Sequence, residues 1–394
     1  MKNIPKELEG KKFSILVGIP SYNNAETISY VAKTASEGIV KFFGGDGLIV
    51  NSDGNSNDGT RDVFMSTETE IEKYSFVYEG ISGKGSAIKA IFEVAKIVNA
   101  DVVVLLDADL RSVQPWWVER LARPILDGRA SYVAPYYLRH KYDGTITNNI
   151  CYPLTSALYG KKIRQPIGGD FGISGELVNI YLSKPESVWE SDVARFGIDI
   201  WMTTIAVNES KNGVVQAALG AKVHDVKDPG KHLGPMFVQV VSTLFSLMNE
   251  YQDRWMTVKE VSEIEVYGEQ PSQDVKPIVV DLENLKKKAK EGIRKYREFM
   301  SSYIDGEILD KISNHGVVSV DEWVKLVYDS AAAFRKYGKR VVEAMIPLYF
   351  ARVADFVEET KDMDSEEAEN VIEKQLEKFF DMKGYLAKKW LERS

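Results

Sequence analysis

The chain has 394 residues, 44% hydrophobic and 27% charged, with a formal net charge of −8. This is an ordinary globular composition with room for two cores, and its acidic balance argues against nucleic acid as a partner. The single cysteine, Cys151, excludes an intrachain disulfide framework; no apolar run approaches the roughly 20 residues of a membrane helix, and the polar opening MKNIPKELEGKK has no signal-peptide core, so a cytoplasmic protein away from membranes is expected.

From residue 13 to about 225, short apolar runs alternate with helical stretches. FSILVGI, DGLIVNS, YSFVYEG and ADVVVLLDA read as strands, and AETISYVAKTASEGI and GSAIKAIFEVAKIV as helices. The alternation predicts an α/β domain with a mainly parallel sheet, whose ligands lie beyond the carboxyl ends of its strands. Four loops follow those strands: PSYNNAE, NSDGNSNDGT, EGISGKGS and DADLRS. All should converge on one edge. From about residue 237 the spacing becomes helical, and Pro347 is predicted to kink or interrupt one of the late helices. These patterns divide the chain into 1–236 and a helical domain, 237–394.

Each loop offers candidate ligands. Pro20 and Tyr22 follow the first strand. Asp53, just past the second, can accept hydrogen bonds from a base or ribose. Lys84 lies between Gly83 and Gly85, where a phosphate could meet the backbone and the ammonium together. A strand continuing past Asp107 would point Asp107 and Asp109 the same way, and a divalent cation would relieve their repulsion. In Pro166-Ile167-Gly168-Gly169-Asp170, the glycines would let backbone approach a substrate. Asp199, between Ile198 and Ile200, would be costly to bury unpaired; it is a sugar or acceptor ligand, or half of a structural ion pair.

IPSYNNAETI, NSDGNSNDGT and DAD, in this order and spacing, resemble the Rossmann-like, glycosyltransferase A-type enzymes that use nucleotide sugars and a metal. QPIGGDFGIS and RFGIDIWMTTIAV further resemble the mannosylglycerate synthase family. GAKVHDVKDPGKHLGPM is similar to a segment of that family and of the more distant glucosyl-3-phosphoglycerate synthases. By this resemblance 1–236 is the nucleotide-sugar-binding catalytic domain. Asp109 and His224 hold Mg²⁺ or Mn²⁺, while Pro20, Tyr22, Asp53, Lys84 and Asp107 serve the donor. Arg139, Asp143 and Thr147 align without gaps with the family's glycerate-binding stretch; a guanidinium fork suits a carboxylate, and Asp and Thr suit hydroxyls.

The resemblance implies a retaining hexosyltransferase, with Asp170 and Asp199 anchoring hydroxyls and the backbone of Ile167, Gly168 and Gly169 near the reacting carbon. GDP-mannose, GDP-glucose or UDP-glucose is the expected donor and D-glycerate the acceptor. The product would be mannosylglycerate or glucosylglycerate, a compatible solute, and the expected state is a homo-oligomer. The rival acceptor is 3-phosphoglycerate, but the phosphoglycerate-using relatives carry Arg and Asn where this chain has Thr145 and Val226. A nucleotidyltransferase would need a G-x-G-T-R-type signature, which is absent. A non-catalytic nucleotide-sugar sensor would not need the DAD carboxylates with His224.

Overall fold

The computed structural model describes residues 6–223 and 229–392, with side chains from 234 onward in the second stretch. It divides into two compact units that interleave along the chain: Met1–Leu138, Gln165–Lys227 and Ile264–Asp274 form the first, and Arg139–Arg164, Asp228–Glu263 and Val275–Ser394 the second.

The first unit is built on one sheet. Its strands are β1 (Ile15–Ser21), β2 (Gly47–Asp53), β3 (Lys73–Val77), β4 (Val102–Leu105), β5 (Tyr132–Leu138), β6 (Phe171–Ser174), β7 (Val214–Ala221) and β8 (Val266–Tyr267), in the order β3-β2-β1-β4-β6-β5-β7-β8. Only β6 runs antiparallel to its neighbours, β4 and β5. The mainly parallel α/β architecture expected from the sequence is present.

Residues alternate across the pleat. Ile15, Val17 and Ile19 of β1 enter the core that contains Val31 and Ala35 of α1 (Ile28–Phe43) and Trp117 and Leu121 of α4 (Pro115–Leu126). Gly18 faces the other way, where a Cβ would come within 2.5 Å of Ile91 in α3 (Lys84–Ile97). A short α2 (Thr60–Ser66) follows β2. Because β1, β2, β3 and β4 are parallel, their exits share one edge. The order turns back between β1 and β4, and such a switch point opens a crevice for ligands.

The second unit is helical. Helices Leu282–Met300, Val320–Tyr337 and Lys339–Thr360 lie where the apolar spacing predicts them. Helix Ser365–Asp381 starts in a reciprocal cap: Glu367 N donates to Asp364 Oδ1 at 2.8 Å, and Asp364 N to Glu367 Oε2 at 2.9 Å. Of the two outcomes expected at Pro347, a kink or an interruption, the interruption does not occur: helix Lys339–Thr360 runs through it. Pro347 packs over Gly292 of helix Leu282–Met300, where a Cβ would meet its ring carbons at 2.5 Å. No described helix is long and apolar enough to cross a membrane.

Candidate active site

The exits of β1 and β2 are stitched together by short polar side chains. Asn23 N donates to Ser56 Oγ (2.8 Å), Asn24 N to Thr60 Oγ1 (2.8 Å) and Ala25 N to Asp58 Oδ2 (3.0 Å). Asn23 and Asn55 take positive φ (56° and 65°), a conformation Asn tolerates better than most residues. Asp53 is fully buried at the end of β2. It accepts from Ser56 N at 2.8 Å and Ser56 Oγ at 2.6 Å, and from Ser21 Oγ at 3.1 Å. Its carboxylate therefore holds the loop after β2 in shape. Pro20 is half-buried, and Tyr22 beyond it stands 62% exposed beside Gly54. Thr27 Oγ1 donates to the Ala108 carbonyl at 2.7 Å, tying this pair of loops to the DAD turn.

At that turn the strand has already ended. β4 stops at Leu105, and Ala108 and Asp109 form a turn, so period-two alternation does not align Asp107 with Asp109. The two carboxylates have different surroundings. Asp107 Oδ1 lies 2.8 Å from Lys84 Nζ and Oδ2 lies 2.8 Å from Lys222 Nζ. Asp109 has no hydrogen bond or ion pair with a described residue.

Lys222, just past β7, has a side chain only 4% exposed and links three groups: Asp107, Asp170 Oδ2 at 2.7 Å, and the Gly168 carbonyl at 2.9 Å. Asp170 is 0% exposed; its Oδ1 accepts from Asp107 N at 2.7 Å and its Oδ2 from Tyr137 OH. With both oxygens engaged by protein, Asp170 braces Asp107 and is not a free carboxylate for sugar hydroxyls. Asp199, in the first turn of helix Ile198–Glu209, is buried with Oδ1 at 3.3 Å and Oδ2 at 3.4 Å from Lys84 Nζ. The Oδ1 approach is an ion pair without hydrogen-bond geometry.

Two lysines thus face three carboxylates. Burial acts to lower the Lys84 pKa, but Asp107 and Asp199 overcome it and hold the ammonium protonated well above its usual range. Burial disfavours ionised Asp107, yet Lys222 and Lys84 bring its pKa far below the ordinary carboxylate value. Asp170 is raised by burial and by Asp107's charge, against the pull of Lys222. Asp199 is raised by burial foremost, with Lys84 opposing.

The glycines make this cluster possible. Gly169 has φ +93°, and a Cβ there would sit 2.2 Å from Asp107 Oδ2; on Gly168 it would sit 2.2 Å from Pro135 Cγ. Half-buried Ile167 precedes them. Around Lys84 the close approach is to protein: a Cβ on Gly85 would lie 1.8 Å from the Val193 carbonyl oxygen, and on Gly83 2.5 Å from that of Ala194. Those glycines seat the 193–195 segment against α3.

Nothing in the sequence pattern marks Lys222, since a lysine after a strand usually reads as solvated. A signal was available: Asp107, Asp170 and Asp199 together demand more positive charge than Lys84 supplies.

For a metal, Asp109, which engages no described residue, could supply a hard oxygen ligand of the kind Mg²⁺ and Mn²⁺ take. His224 lies outside the described residues, and no cluster of three or more His, Cys, Asp or Glu suited to a metal occurs among the described ones. The candidate acceptor residues belong to the second unit. Arg139 Nη1 is 3.4 Å from Asp143 Oδ2. Gly144 (φ +65°) has Arg139 Nη1 and Thr147 Oγ1 within 3.6 Å of where its Cβ would lie, so the three candidates are brought together. Thr147 is buried and starts the π-helix Thr147–Cys151.

Residues 16–172 match the family model described as Glycosyl transferase family 2. No curated protein matches the chain. Solved structures similar to it include glucosyl-3-phosphoglycerate synthase from Mycobacterium tuberculosis in three complexes: with Mn²⁺, UDP-glucose and phosphoglyceric acid (25% identity), with Mg²⁺ and UDP (24%), and with Mn²⁺, UDP-glucose and glycerol 3-phosphate (26%). Each covers 61% of this chain and 82% of the other, with a TM-score of 0.47. The chain carries a glycosyltransferase domain, and the exits of β1, β2 and β4 all fall within it.

Proposed function

We propose that this enzyme moves a hexose, mannose or glucose, from a nucleotide-diphosphate sugar to D-glycerate with retention of the α configuration. The observation that carries the reading is the Lys84–Asp107–Lys222 arrangement beside the unengaged Asp109, at the switch point of the parallel sheet. A donor diphosphate needs positive charge there; Lys84, the more exposed of the two ammonium groups, would supply it together with the metal, while Lys222 is taken up by Asp107 and Asp170.

Pro20 and the exposed ring of Tyr22 would receive the base, on a loop held in shape by Asp53. Asp109 and His224 would hold the metal, which when bound offsets charge on the diphosphate. Lys84, kept protonated by Asp107 and Asp199, would stabilise the leaving diphosphate. Asp199 and the Ile167–Gly169 backbone would orient the hexose, with Asp170 supporting them from behind. Arg139 would fork onto the glycerate carboxylate, with Asp143 and Thr147 on its hydroxyls. A glycerate hydroxyl attacks the anomeric carbon on the face that the diphosphate leaves. The new C–O bond forms as the old one breaks, and the hydroxyl proton passes to a diphosphate oxygen.

The test is to supply GDP-mannose, GDP-glucose and UDP-glucose in turn with D-glycerate and a divalent metal, identifying product by NMR. An α-linked hexosylglycerate supports the reading. Donor binding without turnover on any acceptor would point to a sensor instead.

A further inference from the structure

Polar side chains tie the 139–149 segment to helices of the second unit. Lys141 Nζ donates to the Thr360 carbonyl at 2.6 Å, Thr145 and Tyr349 share a 2.5 Å hydroxyl contact, and Trp323 Nε1 donates to the Asn149 carbonyl at 2.7 Å. The deepest link is a directed chain. Arg352, 0% exposed, donates from Nε to Gln375 Oε1 at 2.8 Å. Gln375, 1% exposed, donates from Nε2 to the Asn148 carbonyl at 2.8 Å. Asn148 in turn donates from Nδ2 to the carbonyls of Asp143 (3.1 Å) and Lys141 (3.3 Å), and its Oδ1 accepts from Arg164 Nη2 at 2.9 Å.

The chemistry gives this chain a single direction. A guanidinium has donors only, so Arg352 fixes the Gln375 amide with its oxygen inward and its nitrogen toward Asn148. Arg164 fixes Asn148 in the same way. Burying an arginine is expensive: Nη1 finds Asp355 at 2.6 Å, while Nη2 is buried without a hydrogen bond. A packed apolar side chain would fill the space at lower cost but could not orient an amide.

We propose that Gln375, oriented by Arg352, is a positioning residue for the acceptor. It holds Asn148, whose amide pins the Lys141–Asp143 backbone and so sets the spacing of Arg139 and Asp143 across Gly144. This rests on the reading that Arg139, Asp143 and Thr147 take glycerate.

The experiment compares Gln375→Glu, Asn148→Asp and Arg139→Ala in the full chain. Gln375→Glu keeps the size and gives Arg352 a better partner, but turns an acceptor toward the Asn148 carbonyl. Asn148→Asp keeps the acceptor for Arg164 and loses the two loop bonds. Each is expected to raise the KM for glycerate about fivefold or more with the donor KM near wild type, and the two buried variants, Gln375→Glu and Asn148→Asp, should also lower Tm. An unchanged glycerate KM in Gln375→Glu overturns the proposal. If that variant does not fold, Asn148→Asp decides by the same criterion, and loss of fold in both means the chain serves stability alone. An unchanged glycerate KM in Arg139→Ala would instead defeat the acceptor reading, and this proposal with it. A raised KM there alone would leave that reading standing without the positioning role.

Discussion

Lys222 and Asp170 form an ion pair at 2.7 Å, with the lysine side chain 4% exposed and the aspartate fully buried. The same ammonium lies 2.8 Å from Asp107, so one residue beyond β7 joins the turn after β4 to the Gly168–Asp170 turn before β6.

Removing that charge leaves two carboxylates facing each other in a poorly hydrated space. Lys222→Met is expected to destabilise the chain by about 3 kcal/mol or more and to abolish transfer. Adding Asp170→Asn should restore part of the stability, a coupling that a denaturant double-mutant cycle measures directly. Additive losses would mean that the pair contributes nothing of its own.

Lys84→Ala tests the neighbouring ammonium. Transfer should fall by about 2 kcal/mol or more of transition-state stabilisation, read from kcat/KM. Stability should fall too, by about 3 kcal/mol or less, because Asp107 keeps Lys222 while Asp199 loses its ion-pair partner. Normal kinetics with a large drop in Tm would leave Lys84 a purely structural role.

How far these residues could be read from the sequence depended on what each must satisfy. The β1, β2 and β4 runs announce themselves because buried parallel strands are continuously apolar, and the Asp, Asn and Gly residues after them mark one edge. β6 does not: Phe171–Ser174 is four residues long and slips antiparallel between β4 and β5, too short for a period to emerge. Asp107 and Lys84 stand out in the sequence as candidate ligands, but their ion pair does not, since nothing local brings α3 to β4. The pairing of Gly292 with Pro347 lies equally beyond local pattern, because each residue is ordinary until the other helix packs against it.

Metal dependence is the next expectation. EDTA should abolish transfer, and Asp109→Asn and His224→Ala should each weaken Mn²⁺-dependent nucleotide binding in calorimetry. Full activity in metal-free buffer would remove the metal from the account.

Asp355 gives a pH test in the second unit. Burial, with Glu359, Glu358 and Glu322 adding to it and Arg352 opposing, raises its pKa from 3.8 to about 6. The folded state then holds this proton more tightly than the unfolded chain. The resulting stability is complete below the unfolded value and is lost as pH rises through about 6. Between pH 4 and 7 the wild type should lose up to about 3 kcal/mol more stability than Asp355→Asn. Parallel pH profiles for the two proteins would contradict the shift.

Acceptor choice bears most directly on the central claim, and one competition assay measures it. With donor and metal saturating, D-glycerate and 3-phosphoglycerate are offered together to wild type and to Arg139→Ala. Hexosylglycerate should dominate, because Thr145 is held by Tyr349 and brings no charge for a phosphate. Arg139→Ala should raise the glycerate KM at least tenfold, about 1.4 kcal/mol, with the donor KM nearly unchanged. A product made mainly from 3-phosphoglycerate, or glycerate kinetics indifferent to Arg139, would contradict the account.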